Sequence, residues 1–389
     1  MSRTARGFRE VVVVLVLLVV GAVSACQTAV PGVPTASADR FDAAARNAFD
    51  VAADELAKAP AVRYIGKLDA SASGASSLNL TVLRTKQAVG TAKVRNTSFR
   101  VVAIGDKLAA RATAKGWKSL GVEPGDAPEY AKHYVVVKPN DLGFDPQDAM
   151  TPAELATRLR KMVEEREGRD DSQQGDTGHE PVTIVKSENG VQAYRIPLGG
   201  SAFVDVTVAR PHRIVRISGV ELVPGLSTVL DMKLRQVGKR DLKKAFDALS
   251  AALRKFHSAV VRVPDFELKQ DASPLKCHES GTCRVRTVVR NELDAGGMEV
   301  SDVSVEMRAT LDGGQLGSEV CTDRATMKPN GKTTLTCSAK FKVPRVVGRV
   351  TYNIHAYMHI KGRAYYRPDV DALLDRLERD FDRLMAEVK

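Results

Sequence analysis

The chain has 389 residues, 43% apolar and 27% charged, an ordinary globular composition with room for two or three domains. Only 5% are aromatic, so the core must be built mostly from Val, Leu, Ile and Ala. The formal charge of +11 favours an anionic neighbour, a lipid surface or an anionic wall polymer, and no basic stripe interleaved with stacking aromatics points to nucleic acid.

Residues 11–25, VVVVLVLLVVGAVSA, form a charge-free run behind Arg3, Arg6 and Arg9. As a helix the run would span about 22 Å, short of the roughly 30 Å hydrocarbon core. The basic start, apolar middle and small residues Ala22, Ser24 and Ala25 predict a signal peptide over residues 1–25. Removing it takes away three arginines and one glutamate and leaves about +9. No Arg-Arg pair points to the twin-arginine route. Val23-Ser24-Ala25-Cys26 resembles the lipobox of bacterial lipoproteins: an aliphatic residue, two small ones and a cysteine. The resemblance implies cleavage before Cys26 and acylation there. The expected location is therefore extracytoplasmic, lipid-anchored to the outer face of the cytoplasmic membrane, because two or more acyl chains hold a protein on a bilayer.

Residues 26–40 lack large apolar side chains and carry two prolines, which suits a tether. Phe41, Ala45, Ala48/Phe49, Ala52 and Leu56 then recur at helical spacing until Pro60. Five short alternating segments follow between residues 62 and 115. In SLNLTVLR, Leu78, Leu80 and Val82 share one face, the pattern of a half-buried antiparallel meander. Residues 151–165, TPAELATRLRKMVEE, return to helix, with Thr151 as N-cap, Pro152 in the first turn and Glu154 completing a capping box. The charged segment at 166–181 reads as a surface loop. Strands resume at VTIVKSENGVQAYRIPL, where Asn189-Gly190 signals a hairpin.

The unit over residues 41–236 is thus expected to be α+β: a curved antiparallel sheet with helices on one face. Its element order, the mid-unit helix after GFDPQDAMTP and the closing VDVTVARPHRIVRISG strand pair resemble the LppX/LprG lipoproteins and their LolA-like relatives. That resemblance implies an apolar cavity between sheet and helices able to hold acyl chains, hence a lipid ligand. The alternative for the same space is a packed core.

Residues 237–258 form a linking helix whose Lys239, Arg240, Lys243, Lys244, Arg254 and Lys255 make either a basic face toward lipid headgroups or a solvated one; Asp241 and Asp247 among them favour the second. From 259 to 366, strands at spacings of about a dozen residues with turns such as LDGGQ and KPNGK read as a β-sandwich. The order of cysteines and valines there resembles an immunoglobulin-like domain, without its tryptophan, since the single Trp is Trp117. Residues 367–389 are an amphipathic helix capped by Asp369 and expected to pack back on the sandwich.

Cys277, Cys283, Cys321 and Cys337 all fall in the sandwich, and an oxidising compartment favours disulfides. Four cysteines allow three pairings; nearest neighbours, Cys277–Cys283 and Cys321–Cys337, are preferred. Their spacing lacks the short knuckles of a zinc site, and His355 and His359, four residues apart on one strand, would stand about 13 Å apart, too far to share a metal. No metal, cofactor or catalytic residue is expected. The chain has no GxSxG, HExxH, P-loop or GxGxxG, and SPLK at Ser273–Lys276 reads as a chance match to SxxK. The expected function is a non-catalytic binding or carrier module for a lipid or another apolar envelope ligand. The competing expectation is a surface interaction protein that binds a partner protein or an anionic wall polymer through the sandwich.

Overall fold

The computed structural model describes residues 38–388 apart from 71–74, 171–180, 188–189, 222–227, 263–264, 272–274, 295–297, 345–346 and 348–349. Val23, Ser24, Ala25 and Cys26, and with them the signal peptide, lipobox and most of the tether, lie outside the described residues.

The fold is α+β. Helix α1 (Ala38–Lys58) is followed by a meander of β1 (Ala61–Ala70), β2 (Ala75–Leu83), β3 (Ala88–Val94), β4 (Thr97–Ile104) and β5 (Lys107–Arg111). Two short helical turns, α2 (Ala114–Ser119) and α3 (Ala127–Tyr130), precede β6 (Val135–Val137), and α4 (Pro139–Leu142) follows it. The long α5 (Pro152–Asp170) then crosses the sheet. Its N-cap Thr151 accepts from the Glu154 amide at 3.4 Å, as the spacing predicts, and the helix runs to Asp170, into the segment expected as loop. A second meander, β7 (Thr183–Lys186), β8 (Gln192–Gly199), β9 (Ala202–Thr207), β10 (Ile214–Glu221) and β11 (Thr228–Gln236), returns to pair β11 with the free edge of β1. Gly190, at φ +76°, closes the β7–β8 hairpin; Asn189 lies outside the described residues.

One layer of core fills the inner face of this sheet. Phe49, Ala52 and Leu56 of α1 and Leu155 and Leu159 of α5 meet Tyr64, Leu80, Val82, Phe99 and Val101. Phe49, Phe99, Trp117, Leu155 and Leu159 are all 0% exposed. A side chain lining a void wide enough for water would carry accessible surface, so around these residues the space is packed core, each large side chain contributing about 1.5–3 kcal/mol by burial. An ion pair between Arg160 and Asp54 ties α5 to α1 at the surface.

The Tyr64 hydroxyl donates to the Met150 carbonyl at 2.7 Å inside this layer, and burial pushes its pKa well above 10. Because the folded-state pKa lies above the unfolded one, this stabilisation is whole below pH 10 and is lost as pH rises beyond it. Tyr64→Phe leaves a buried carbonyl unpaired and should cost about 1–3 kcal/mol at pH 8. Urea titrations at pH 8 and above pH 10 should also show a shallower alkaline loss in the variant than in the wild type; an equal slope would remove Tyr64 as its source.

Beyond β11 comes α6 (Lys239–Leu253) and then a three-residue strand, β12 (Ala259–Val261). β12 runs parallel to β6, with Val260 opposite Val135, and its other edge pairs with β19 (His355–Tyr366). β16 (Asp302–Asp312) and β17 (Ser318–Met327) continue outward, giving one sheet of 15 strands in the order β17-β16-β19-β12-β6-β5-β4-β3-β2-β1-β11-β10-β9-β8-β7. The sequence boundaries at 236/237 and 258/259 are therefore crossed by hydrogen-bonded sheet and shared core.

A second sheet of β13 (Asp265–Gln270), β14 (Leu275–Cys277), β15 (Thr282–Asp294) and β18 (Lys332–Lys340) packs on the β16–β17–β19 end through Val285, Val289, Leu335, Val305, Met307 and Leu311. One sandwich layer is thus a continuation of the long sheet. α7 (Val370–Glu387) departs from expectation. It lies chiefly beside α6, Phe381 stacking on Phe246 at 4.2 Å, in one core that reaches Ala364, Tyr366 and Leu293 of the sandwich, and both helices cover part of the outer face of the long sheet around Val102, Ile104 and Ala109. The reason is its stripe: Leu377 and Leu384 find an apolar surface already left by Leu242, Leu249 and Leu253 of α6. So α1 and α5 hold one face as expected, and α6 and α7 add cover to the other. Asp369 caps α7, accepting from the Ala372 amide at 2.9 Å.

Candidate ligand groove

The outer face is only half covered. Over β7–β11 and β1 it is open, and there the strands form a groove of about 490 Å³, within the range of small-ligand sites. Period-2 alternation puts Tyr64, Ile196, Val204 and Met232 into the inner core and leaves Ile65, Ala193, Arg195, Asp205, Lys233 and Arg235 on the groove side. Val185 and Val215 line it too, and Val191 beside the hairpin turn is 43% exposed.

Two bidentate pairs stiffen the floor. Arg195 donates to both oxygens of Asp205 at 2.9 Å, and Arg216 to those of Asp231 at 2.9 and 3.1 Å. The Asp205 bond raises the Arg195 pKa further, so the guanidinium is charged at any working pH. Arg195 also stacks on Phe203 at 3.8 Å, with Arg216 at 5.3 Å from the same ring. Lys186, Lys233 and Arg235 complete the lining, so cations outnumber the single lining carboxylate, Asp205. The result is an apolar trough with a positive rim.

None of the groove residues was singled out from sequence. The alternation in VRYIGKL and QAYRIPL marks them as solvent-side, but which side chains of β1 and β11 meet is set by the register of strands more than 150 residues apart.

The residues that were singled out fall elsewhere. Cys277–Cys283 and Cys321–Cys337 are disulfides. Cys277 stands directly opposite Cys283 on β14 and β15. Cys321 and Cys337 join β17 to β18, which belong to different sheets, so this bridge ties the two sandwich layers and not neighbouring hairpin strands. His355 and His359 lie on the exposed outer side of β19, opposite Asp312 and Arg308. Among the described residues no three His, Cys, Asp or Glu are placed to hold a metal ion. Ser273 and Pro274 of SPLK are outside the described residues. On α6, Lys243 pairs with Asp247 at 3.2 Å and Lys244 with Asp241 at 3.6 Å, so these two of the six cations in residues 237–258 are compensated within the helix. Among the described residues no helix is long and apolar enough to cross a membrane.

No family model matches the chain, and no curated protein matches it. Among solved structures it is similar to LprF from Mycobacterium bovis, at 14% identity and TM-score 0.30, over 49% of this chain and 91% of that one. It is also similar to two structures of a β-glucosidase from Listeria innocua. The complex with isofagomine has 14% identity and TM-score 0.15, over 20% of this chain and 11% of the enzyme. The complex with gluconolactone has 11% identity and TM-score 0.17, over 26% and 16%. Likenesses this faint assign neither family nor activity.

Proposed function

We propose that the protein is an exported, non-catalytic binding module, held at the membrane through acylated Cys26, whose ligand is an anionic amphiphile seated in the outer-face groove. The observation that carries this reading is the groove itself: Ile65, Val185, Val191 and Val215 form an apolar trough bordered by Lys186 and Arg235. Apolar contact supplies affinity, and the cations orient the anionic end. The ligand would lie on the open face of the sheet and not between sheet and helices, where the core is packed.

The test uses Cys26→Ser protein, which should leave the membrane fraction; retention there would overturn the anchor. With a fluorescent fatty acid as probe, Ile65→Glu and Val191→Asp should each weaken binding at least tenfold, with thermal melting unchanged because both side chains are already exposed. Undiminished binding would remove the groove as the site. Native mass spectrometry of the wild-type fold should find a lipid-sized adduct that the Ile65→Glu variant lacks.

A further inference from the structure

Away from the groove, the outer face continues across β1–β5 as an uncovered strip. Arg63 and Lys67 of β1, Lys93 of β3, Arg100 of β4 and Arg111 of β5 stand on it; Arg63 donates to Asn79 at 2.9 Å, and Lys67 faces Asp231 of β11. Arg100 and Lys67 are exposed, Arg63 and Arg111 half-buried.

The register makes this more than a basic surface. Arg100 lies directly opposite Arg111, and Arg63 directly opposite Arg235. Like charges facing across neighbouring strands destabilise a sheet, and opposite charges support it. The same sheet follows the favourable rule elsewhere: on β17–β16–β19, Arg324 faces Glu306, which faces Lys361. At these two pairs, then, the sheet sets like charges face to face, a repulsion that an external anion would relieve. The line from Arg63 to Arg111 crosses five strands, about 19 Å at the usual strand separation, longer than one small anion.

We infer that this strip docks a linear polyanion lying across the strands, a phosphate-bearing polymer other than nucleic acid. Two observations choose the occupant. α6 packs on the same face at Val102 and Ile104, one pleat from Arg100, and a helix stands about 10 Å proud of a sheet. A planar bilayer is held off the floor of such a step, whereas a flexible chain follows it. The row that holds Arg111 and Arg100 continues through Thr91, Asn79 and Ile65, and Arg63 stands one pleat from it beside Thr81; none of these is aromatic, so bases would find no stacking platform.

The probe is linear inorganic polyphosphate on the Cys26→Ser chain, followed by fluorescence anisotropy at rising salt. Binding should weaken steeply with ionic strength. Arg100→Glu combined with Arg63→Glu should weaken it more than tenfold while the melting temperature holds or rises, since each change turns a like-charge pair into an attractive one. Lys243→Ser combined with Lys244→Ser on α6 should leave binding unaltered. Failure of polyphosphate to bind, equal loss in the α6 variant, tighter binding of single-stranded DNA, or flotation with anionic vesicles that depends on Arg63 and Arg100 would each overturn the inference. The two sites meet at Ile65 and Arg235, and they are told apart by probe: loss of fatty-acid binding in Ile65→Glu reports on the groove, and loss of polyphosphate binding in the Arg63→Glu, Arg100→Glu variant on the strip.

Discussion

Gly66→Ala should destabilise the protein by about 3 kcal/mol and lower its melting temperature by on the order of 5–10 °C, the largest effect expected from adding a single methyl group. Gly66 sits in the middle of β1, on the inner face, opposite Met232. A Cβ there would lie 2.1 Å from the Asp231 carbonyl oxygen and 2.9 Å from the Met232 Cα. Both are backbone atoms of β11, so no side chain can swing away. Gly90 repeats the arrangement on β3, its Cβ position 2.1 Å from the Asn79 carbonyl oxygen of β2. Glycine inside a strand is normally a liability, and it persists where another backbone approaches closely. At these two places neighbouring strands lean together on the inner side, which lets the sheet curve around α1 and α5. The β1–β11 seam also joins the two meanders and forms part of the groove floor through Ile65 and Lys233, so forcing it apart should weaken ligand binding as well as stability. Gly238 is the control. It has ordinary negative φ and nothing within 4 Å of its Cβ position, so Gly238→Ala should cost less than about 1 kcal/mol. Equal melting of the two variants would refute the close-approach account.

Much of this architecture is readable in the chain. Period-2 alternation in SLNLTVLR places Leu78, Leu80 and Val82 in the inner core, where they are found. The stripe of Ala45, Phe49, Ala52 and Leu56 sets the buried side of α1. Local signals of this kind survive because hydrophobic period and cap chemistry act over a few residues. What sequence does not carry is lateral order. β11 pairs with β1 across more than 150 residues, and nothing in either strand names the other. The meeting of groove and strip is a product of that pairing, which is why Arg63 and Arg235 look like ordinary solvent-side residues when read along the chain. The destination of α7 was hidden for a related reason: an amphipathic stripe states that a helix buries one side, and only the assembled fold decides against what.

Val260→Pro should be the most damaging single change in the C-terminal half, at about 4 kcal/mol. Val260 is 0% exposed in the three-residue β12, too short a run to stand out in sequence as a strand. Its amide donates to the Tyr134 carbonyl at 3.0 Å, and the Arg262 amide to the Val136 carbonyl at 3.0 Å, the parallel seam between β12 and β6. Arg262 reinforces the seam through Asp141 and through the Leu120 carbonyl at 2.7 Å. Above it, Tyr134 and Val136 share one core with Phe256, Tyr366, Leu377 and Leu384. A proline at 260 deletes the first bond and brings its ring into a central strand flanked on both sides. With core and hydrogen bonds running across the seam, the wild-type chain should unfold in a single transition. Val260→Pro should split it, the β-sandwich melting apart from the remainder, while Val260→Ile, which keeps the amide, should cost less than about 1.5 kcal/mol. Calorimetry of the three proteins decides it. Two transitions in the wild type would mean that the halves are only neighbours, and a tolerated proline would mean that the shared core, not the β6–β12 bonds, holds them together.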